Sequence, residues 1–492
     1  MLAGEDTLAI LPTGAGKSLC YQLPALMLEG TTVVVSPLIA LMKDQADQLE
    51  ARGIEAAPLN STLTPSEERD AMRDVREARA AIVFTTPERL ASAEFLEVLK
   101  RHRVGLFVVD EAHCISQWGH DFRPAYLELG QAARELGSPP ILALTATATD
   151  EVVEDIRAQL GRPGMQVING ALYRANLRYA VRQVTNEDEK LAALRELLEA
   201  ARGPAVVYTA TVKAAEALAR TLEEGGGEVT LYHGRLGARE RARRQESFMA
   251  GECRVMVATN AFGMGIDKRD IRAIVHYQVP GSLEAYYQES GRAGRDGKAS
   301  ACTLLYDHAD RRVQQFFAGG RAPDAAELRA VLEGVTQRIP KTRVRLLTSL
   351  LRQAGLLGRG DVAREALEAI AEEQRESHEA EREKLERMTA YAHGADCRWK
   401  MILEYFGEGD DFERCGTCDN CRRPVAVPED VRGEAAVEPA AAPRVRPLKP
   451  GEPVIVRKHG RGLVESVAGD RVHVSFADGR TREFLRGYVQ RA

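Results

Sequence analysis

Two short segments in the first quarter of the chain have the residue types and spacing for phosphate chemistry. Leu8-Ala9-Ile10-Leu11 is an apolar, strand-like run, and Pro12-Thr13-Gly14-Ala15-Gly16-Lys17-Ser18 follows it directly. Glycines at 14 and 16 let backbone N–H groups turn inward around phosphate oxygens at the start of a helix, whose dipole favours anions. In such a loop Thr13, Gly14, Ala15 and Gly16 form the cradle, Lys17 reaches the terminal phosphates and the Ser18 hydroxyl ligates Mg²⁺. Leu11 stands where the generic loop has its first glycine, so a plain glycine-rich turn is the alternative for this segment taken alone. The second segment is Leu106-Phe107-Val108-Val109 running into Asp110-Glu111-Ala112-His113. Carboxylates at a strand's end suit two tasks: Asp110 holding Mg²⁺ through water, and Glu111 orienting and deprotonating an attacking water. His113 can bond across to the next loop. Together the two segments predict hydrolysis of a nucleoside triphosphate, with ATP and Mg²⁺ as the expected cofactors.

A different chemistry is written in the cysteines, of which there are eight. Cys20, Cys114, Cys253 and Cys302 are scattered and read as buried or idle thiols. Cys397, Cys415, Cys418 and Cys421 cluster, with two overlapping C-x-x-C pairs in the last three. Four thiolates make a closed tetrahedral set for structural Zn²⁺. Cys397 also opens an amphipathic helix bearing Met401, Ile402, Tyr405 and Phe406, which Gly407 ends.

The elements that must position these groups follow from hydrophobic patterning. At 492 residues the chain calls for three or four domains, and its 44% hydrophobic and 28% charged content is that of a soluble globular protein. A net charge of −5 gives no global pull toward nucleic acid, so any such binding must be local. No run of 18 or more apolar residues and no charged-then-apolar leader pattern occurs, which predicts no membrane association and a cytoplasmic location. Short apolar runs at Thr31–Ser36, Ala81–Thr85, Leu106–Val109 and Ile141–Leu144 alternate with helical stretches. A second series follows at Ala205–Tyr208, Val229–Tyr232, Val255–Ala258 and Ala273–His276. That rhythm predicts two α/β lobes in tandem, each a mostly parallel sheet with helices on both faces. Beyond Asp310 the character turns helical, at Ala325–Val335 and Lys341–Ala354. Thr336–Arg359 holds six basic residues and no acid; Asp361–Arg387, with ten acids and five bases, predicts a long solvated helix. Val425–Pro450 is rich in Ala, Pro and Val and reads as a linker, and Glu452–Val489 alternates like a small β-barrel.

Further segments stand in a fixed order along both lobes. The first lobe has Ser36-Pro37-Leu38-Ile39-Ala40-Leu41-Met42-Lys43-Asp44-Gln45, Thr85-Thr86-Pro87-Glu88-Arg89-Leu90 and Thr145-Ala146-Thr147-Ala148. The second has Tyr232-His233-Gly234, Ala258-Thr259-Asn260-Ala261-Phe262-Gly263-Met264-Gly265-Ile266-Asp267 and Gln288-Glu289-Ser290-Gly291-Arg292-Ala293-Gly294-Arg295-Asp296-Gly297. The series resembles the motifs of superfamily-two helicases. That resemblance implies RecA-like lobes, DNA contacts that include Thr259, a nucleotide contact at Asp267, an arginine finger at Arg295, and Arg292 beside it near the γ-phosphate. Cys114-Ile115-Ser116-Gln117-Trp118-Gly119-His120-Asp121-Phe122-Arg123-Pro124 resembles the aromatic-rich loop of the RecQ family. Trp118 and Phe122 can stack on bases at about 1–3 kcal/mol each, with Arg123 beside them; ordinary core aromatics are the alternative. The cysteine cluster, with Tyr405-Phe406-Gly407-Glu408 and Cys418-Asp419-Asn420-Cys421, is similar to the RecQ zinc-binding domain.

The resemblance to RecQ covers about 1–310 and 380–424, and it implies an ATP-dependent 3′-to-5′ DNA helicase of recombination or repair acting on single-stranded and branched or duplex DNA. A DEAH-type RNA helicase and an ATP-gated DNA remodeller that separates no strands are the rival readings. The expected domains are lobes at 1–170 and 171–310, a winged-helix-like insert at 311–380, a zinc-binding domain at 381–424, a linker at 425–450 and a Tudor-like β-barrel at 451–492. A packing spacer is the alternative for the insert, and the winged helix that many relatives carry after the zinc is not recognisable. The chain opens at Met1-Leu2-Ala3-Gly4, past the segment in which the family reads adenine, so weakened selectivity for ATP is expected. The tail resembles that of UvrD-type helicases; residues 444–492 carry eleven bases and five acids, which suits docking of a protein such as RNA polymerase, or of nucleic acid. A monomer is expected.

Overall fold

The structure is a computed structural model that describes residues 1–116, 122–263, 268–317, 322–337, 339–357, 362–409 and 412–422, and, in the tail, 451, 453–456, 460–468, 471–476, 481–485 and 489–491. Two units are formed, 1–425 and 426–492.

The first lobe is built on β1 (Thr7–Ile10), β2 (Thr31–Val35), β3 (Ala56–Leu59), β4 (Ile82–Thr85), β5 (Val104–Val109), β6 (Ile141–Thr145) and β7 (Gln166–Asn169). They form one parallel sheet in the order β3-β4-β2-β5-β6-β1-β7. Successive side chains of a strand face opposite sides. Accordingly, Phe107 and Val109 of β5 enter one core layer and Leu106 and Val108 the other. Burial on both faces is why these strands read as unbroken apolar runs.

The second lobe repeats the plan with β8 (Leu177–Gln183), β9 (Ala205–Tyr208), β10 (Val229–Tyr232), β11 (Val255–Ala258), β12 (Ala273–His276) and β13 (Ser300–Tyr306), in the order β10-β11-β9-β12-β13-β8. One face carries Ala205 and Val207 against helices of the same lobe. The other carries Val206 and Tyr208 into a core shared with Trp399, Ile402, Leu403 and Phe406 of the cysteine segment. The cysteine segment is therefore a cover for the second sheet.

Strands β3, β7, β8 and β13 add to the apolar runs expected, which were five in the first lobe, Leu8–Leu11 included, and four in the second. Pro58 disguises β3, which tolerates it as an edge strand. β7 is the opposite edge and largely exposed, and β8 mixes arginines with apolar residues.

Helices Ala325–Leu332, Lys341–Gln353 and Arg364–His393 pack around Leu328, Leu347, Leu351, Leu367 and Ala371. Within the expected winged-helix-like insert, 311–380, the described residues form helices and turns and no strand. Arg364–His393 also runs through the boundary drawn at 380, and it is not wholly solvated: Leu385, Met388, Tyr391 and Ala392 are buried. In the tail, β14 (Pro453–Val456), β15 (Gly460–Ala468), β16 (Arg471–Phe476), β17 (Thr481–Leu485) and β18 (Val489–Arg491) form an antiparallel sheet in the order β17-β16-β15-β14-β18. Among the described residues no helix is long and apolar enough to cross a membrane.

Candidate active site

Because the strands of the first sheet are parallel, the loops after β1 and β5 leave the same edge, the place where open parallel sheets bind ligands. Gly14 and Gly16 adopt φ of +87° and +85°, the left-handed region that folds the loop inward. The helix Leu19–Ala25 starts directly after Ser18. Lys17 Nζ donates to the Leu11 carbonyl at 3.2 Å, so the ammonium folds back over the loop. Ser36 Oγ donates to Asp110 Oδ2 at 3.1 Å, and the Tyr126 hydroxyl donates to the Asp110 carbonyl at 3.1 Å.

Burial and the adjacent Glu111 charge push the Asp110 carboxyl up to about 7, against the pull of Lys17 and the Ser36 hydrogen bond. A carboxylate that resists ionising alone fits the charge of a divalent cation, which Asp110 and Ser18 would hold. Glu111 sits at φ 49° and ψ 48°, left-handed for a residue with a Cβ, as strained residues at functional sites often are. Its Oε2 is buried with no hydrogen-bond partner among the described residues, which fits an acceptor for a water proton. His113 Nδ1 lies 3.4 Å from that oxygen but makes its closer contact, 3.0 Å, with Thr145 Oγ1. Thr145 Oγ1 donates its proton to the Thr147 carbonyl at 2.9 Å, so it accepts from His113 Nδ1–H. The acidic segment and Thr145-Ala146-Thr147-Ala148 are thus joined by a buried hydrogen-bond chain.

The opposite wall comes from the second lobe. A Cβ placed on Gly14 would lie 3.3 Å from Arg295 Cγ, and one on Gly291 would lie 3.8 Å from Thr13 Cβ. The Gly291–Arg295 turn therefore rests on the phosphate loop. Arg174 holds the turn, donating to the carbonyls of Gly291 at 2.6 Å, Ala293 at 2.8 Å and Gly294 at 2.7 Å. Asn176 Nδ2 donates to Gly294 O at 2.8 Å and to Lys298 O at 3.0 Å. Gly294, at φ +55°, has no room for a side chain: a Cβ would meet Asn176 Nδ2 at 2.5 Å. Sequence reasoning missed Arg174 and Asn176, which lie in the connection between lobes; the one clue was a glycine-rich turn whose carbonyls need donors from elsewhere.

Arg292 does not share Arg295's setting. It is buried within the second lobe, its Nη2 3.2 Å from where a Gly263 Cβ would lie. There it faces Tyr208, whose phenol burial pushes up while the Arg292 guanidinium pulls it down. Thr259 is buried as well, and its Oγ1 accepts from the Ala261 N–H at 3.4 Å, closing a turn. Phe122 and Arg123 are half-buried, and Arg123 N donates to Cys114 O at 2.9 Å, closing the base of their loop. Trp118 and Asp267 lie outside the described residues.

The four clustered cysteines do meet. The sulfurs of Cys397, Cys415, Cys418 and Cys421 lie within 4.8 Å of one another, and a tetrahedral zinc site with ~2.3 Å bonds needs such proximity. Burial disfavours the Cys415 thiolate, but hydrogen bonds from Thr417 and the Cys418 N–H outweigh it and lower the thiol to about 7. The donor set fits zinc. Around it, Arg398 bridges to Asp419 at 2.9 Å, Asp419 Oδ2 accepts from the Val181 N–H at 2.9 Å, and Trp399 Nε1 donates to the Leu177 carbonyl at 3.1 Å. Both Val181 and Leu177 belong to β8, which explains how the module is tied to the second sheet.

The comparisons agree with this geometry. Residues 1–156 match the DEAD/DEAH box helicase family, 189–297 the helicase conserved C-terminal domain and 356–422 the RecQ zinc-binding family. The last match begins inside the segment read as an insert ending at 380, in keeping with the helix that crosses that boundary. The ATP-dependent DNA helicase RecQ of Bacillus subtilis (strain 168) is 41% identical over 435 residues, 88% of this chain and 64% of that protein. The protein of the same name from Synechocystis is 35% identical over 86% of this chain and 93% of its own length. The chain thus spans under two thirds of some curated relatives and nearly all of others. Among solved structures, Mycobacterium smegmatis helicase Lhr bound to ssDNA and AMP-PNP matches with TM-score 0.51 and 22% identity, over 79% of this chain and 54% of that one, a likeness of fold alone.

Proposed function

Because this chain belongs to the RecQ family, we propose that it is an ATP-dependent DNA helicase that moves 3′-to-5′ on single-stranded DNA and separates duplexes during recombination or repair. The observation that carries the reading is the packing of the Arg295 side-chain stem against Gly14, which supports a role for this second-lobe arginine at the phosphate loop of the first. Nucleotide between Lys17 and Arg295 would draw the lobes together, and loss of the γ-phosphate would release them. Mg²⁺, when bound, supplies charge that stabilises the transferring phosphoryl group. Asp110 and Ser18 would hold it, Glu111 would take the proton of the attacking water, and Arg295 would meet charge developing on the γ-phosphate, a role worth about 10³–10⁵ in rate in related chemistry. The His113–Thr145 bond would carry the state of the site to the strand-binding face. Trp118, Phe122, Arg123 and Thr259 are assigned to that face and Asp267 to the nucleotide; Arg292 is assigned to supporting the Gly263 segment from below. The C-terminal sheet is assigned to docking of a protein or nucleic acid.

The test compares ATP hydrolysis with single-stranded DNA, RNA and tailed duplex, alongside unwinding of 3′- and 5′-tailed substrates. The reading predicts stimulation by single-stranded DNA and unwinding from a 3′ tail. Stimulation by RNA alone would favour the DEAH-type RNA helicase, and hydrolysis without strand separation would favour the remodeller.

A further inference from the structure

We propose that the exposed face of helix Lys341–Gln353 binds the phosphates of duplex DNA through Lys341, Arg345 and Arg352. The proposal rests on the DNA-helicase reading and adds a contact outside the two lobes. At 100° per residue the three side chains fall within about 40° of arc, and at 1.5 Å per residue they span about 16 Å. All three are exposed, while Leu347 and Leu351 on another side of the helix are buried against Leu328 and Leu367 and hold the stripe facing outward.

An exposed cationic helix face is often no more than a solvated surface, and the neighbouring helix shows what that looks like here. On Arg364–His393, Arg364 pairs with Glu368, Arg375 with Glu372, Arg382 with Glu386, Lys384 with Glu381 and Arg387 with Glu383, so each cation has a carboxylate one turn away. On Lys341–Gln353 only Arg343 has such a partner among the described residues, Glu327 at 2.8 Å. No acid occurs anywhere from Thr336 to Leu357. The first turn of the helix holds bases and no acid, the sign that the helix dipole disfavours. Arg352, in the last turn, has the sign the dipole favours, but the dipole gives Lys341 and Arg345 no support, and none of the three has a carboxylate partner among the described residues.

Duplex rather than single strand follows from what the module lacks. Single strands are gripped by aromatic platforms on which bases stack, and no aromatic residue occurs between Ala325 and Leu357. A straight, rigid row of cations suits a straight polyanion carrying one charge per about 1.7 Å, with a major groove about 12 Å wide that admits a helix.

The experiment uses the full zinc-bound chain and its triple variant Lys341→Gln, Arg345→Gln, Arg352→Gln. Binding to a blunt duplex and to single-stranded DNA is followed by fluorescence anisotropy over a salt series. Three lost phosphate contacts should reduce the duplex slope of log K against log salt by about 2.7. The single-strand slope and the strand-stimulated ATPase should stay unchanged. A charge-retaining triple, Lys341→Arg, Arg345→Lys, Arg352→Lys, should keep the parent slope, which separates lost charge from lost fold. An unchanged duplex slope in the Gln variant, an equal loss on single strands, or a matching loss in the charge-retaining variant each overturns the proposal. A parent enzyme whose ATPase ignores DNA would instead sink the helicase reading, while the duplex slope would still decide this one.

Discussion

Arg174 acts on the candidate site through the Gly291–Arg295 turn, and its loss should cost catalysis. Its guanidinium donates to three carbonyls of the turn that carries Arg295. A hydrogen bond from a charged donor contributes about 1.5–3 kcal/mol. Asn176 still serves the Gly294 carbonyl, so two bonds are lost without replacement in Arg174→Met, about 3 kcal/mol at the low end. At about 1.4 kcal/mol per factor of ten, kcat for strand-stimulated ATP hydrolysis should fall about 10²-fold. The phosphate loop on the other lobe is untouched, so KM for ATP should stay within about twofold. Arg174→Lys, able to restore one bond, should lie between, about tenfold below the parent. The assay is phosphate release at saturating single-stranded DNA across ATP concentrations, with thermal melting to show an intact fold. A folded Arg174→Met enzyme with parental kcat, or with its loss confined to KM, would refute the positioning argument.

The remaining predictions are local. Trp399→Phe removes the bond to the Leu177 carbonyl from a fully buried ring and should destabilise the second lobe by about 2–4 kcal/mol in denaturant titration, where an unshifted midpoint would count against the docking described. Cys418→Ser should lower bound zinc below one per chain by elemental analysis and open 397–422 to protease, because metal binding of about 10–16 kcal/mol is folding energy in such modules; retention of a full equivalent of zinc would contradict the four-thiolate site. Thr145→Val breaks the link to His113 and should lower unwinding about tenfold more than ATP hydrolysis; equal losses in both would show that the bond does not couple them.

The order of events in the proposed cycle depends on which groups belong to which wall. Lys17, Asp110 and Glu111 lie on one lobe with their strand ends, and Arg295 of the other lobe packs against Gly14 of the phosphate loop. Arg292, though only three residues away, is committed to the interior of the second lobe beside Tyr208 and Gly263. Moving the lobes apart would therefore separate Arg295 from Gly14 while leaving Arg292 in place.

The phosphate loop, the acidic strand end and the cysteine cluster were legible in the sequence because each depends mainly on one contiguous segment whose backbone geometry is set locally. Glycines at 14 and 16 can make the left-handed turns of a phosphate loop, carboxylates 110 and 111 end an apolar strand, and cysteines 415, 418 and 421 have ligand spacing by themselves. Strands β9 to β12 were equally plain, since burial on both faces leaves an unbroken apolar run. Strands β3, β7, β8 and β13 were not: β3 and β7 lie at sheet edges, β8 mixes arginines with apolar residues, and Ser300 and Thr303 interrupt the apolar run of the interior strand β13. The approach of Arg295 to Gly14, the three bonds from Arg174 and the seat of Trp399 on β8 were decided only by tertiary structure. Each joins positions far apart in the chain, and no local propensity or spacing encodes a contact that exists only after two sheets and a zinc module have packed together.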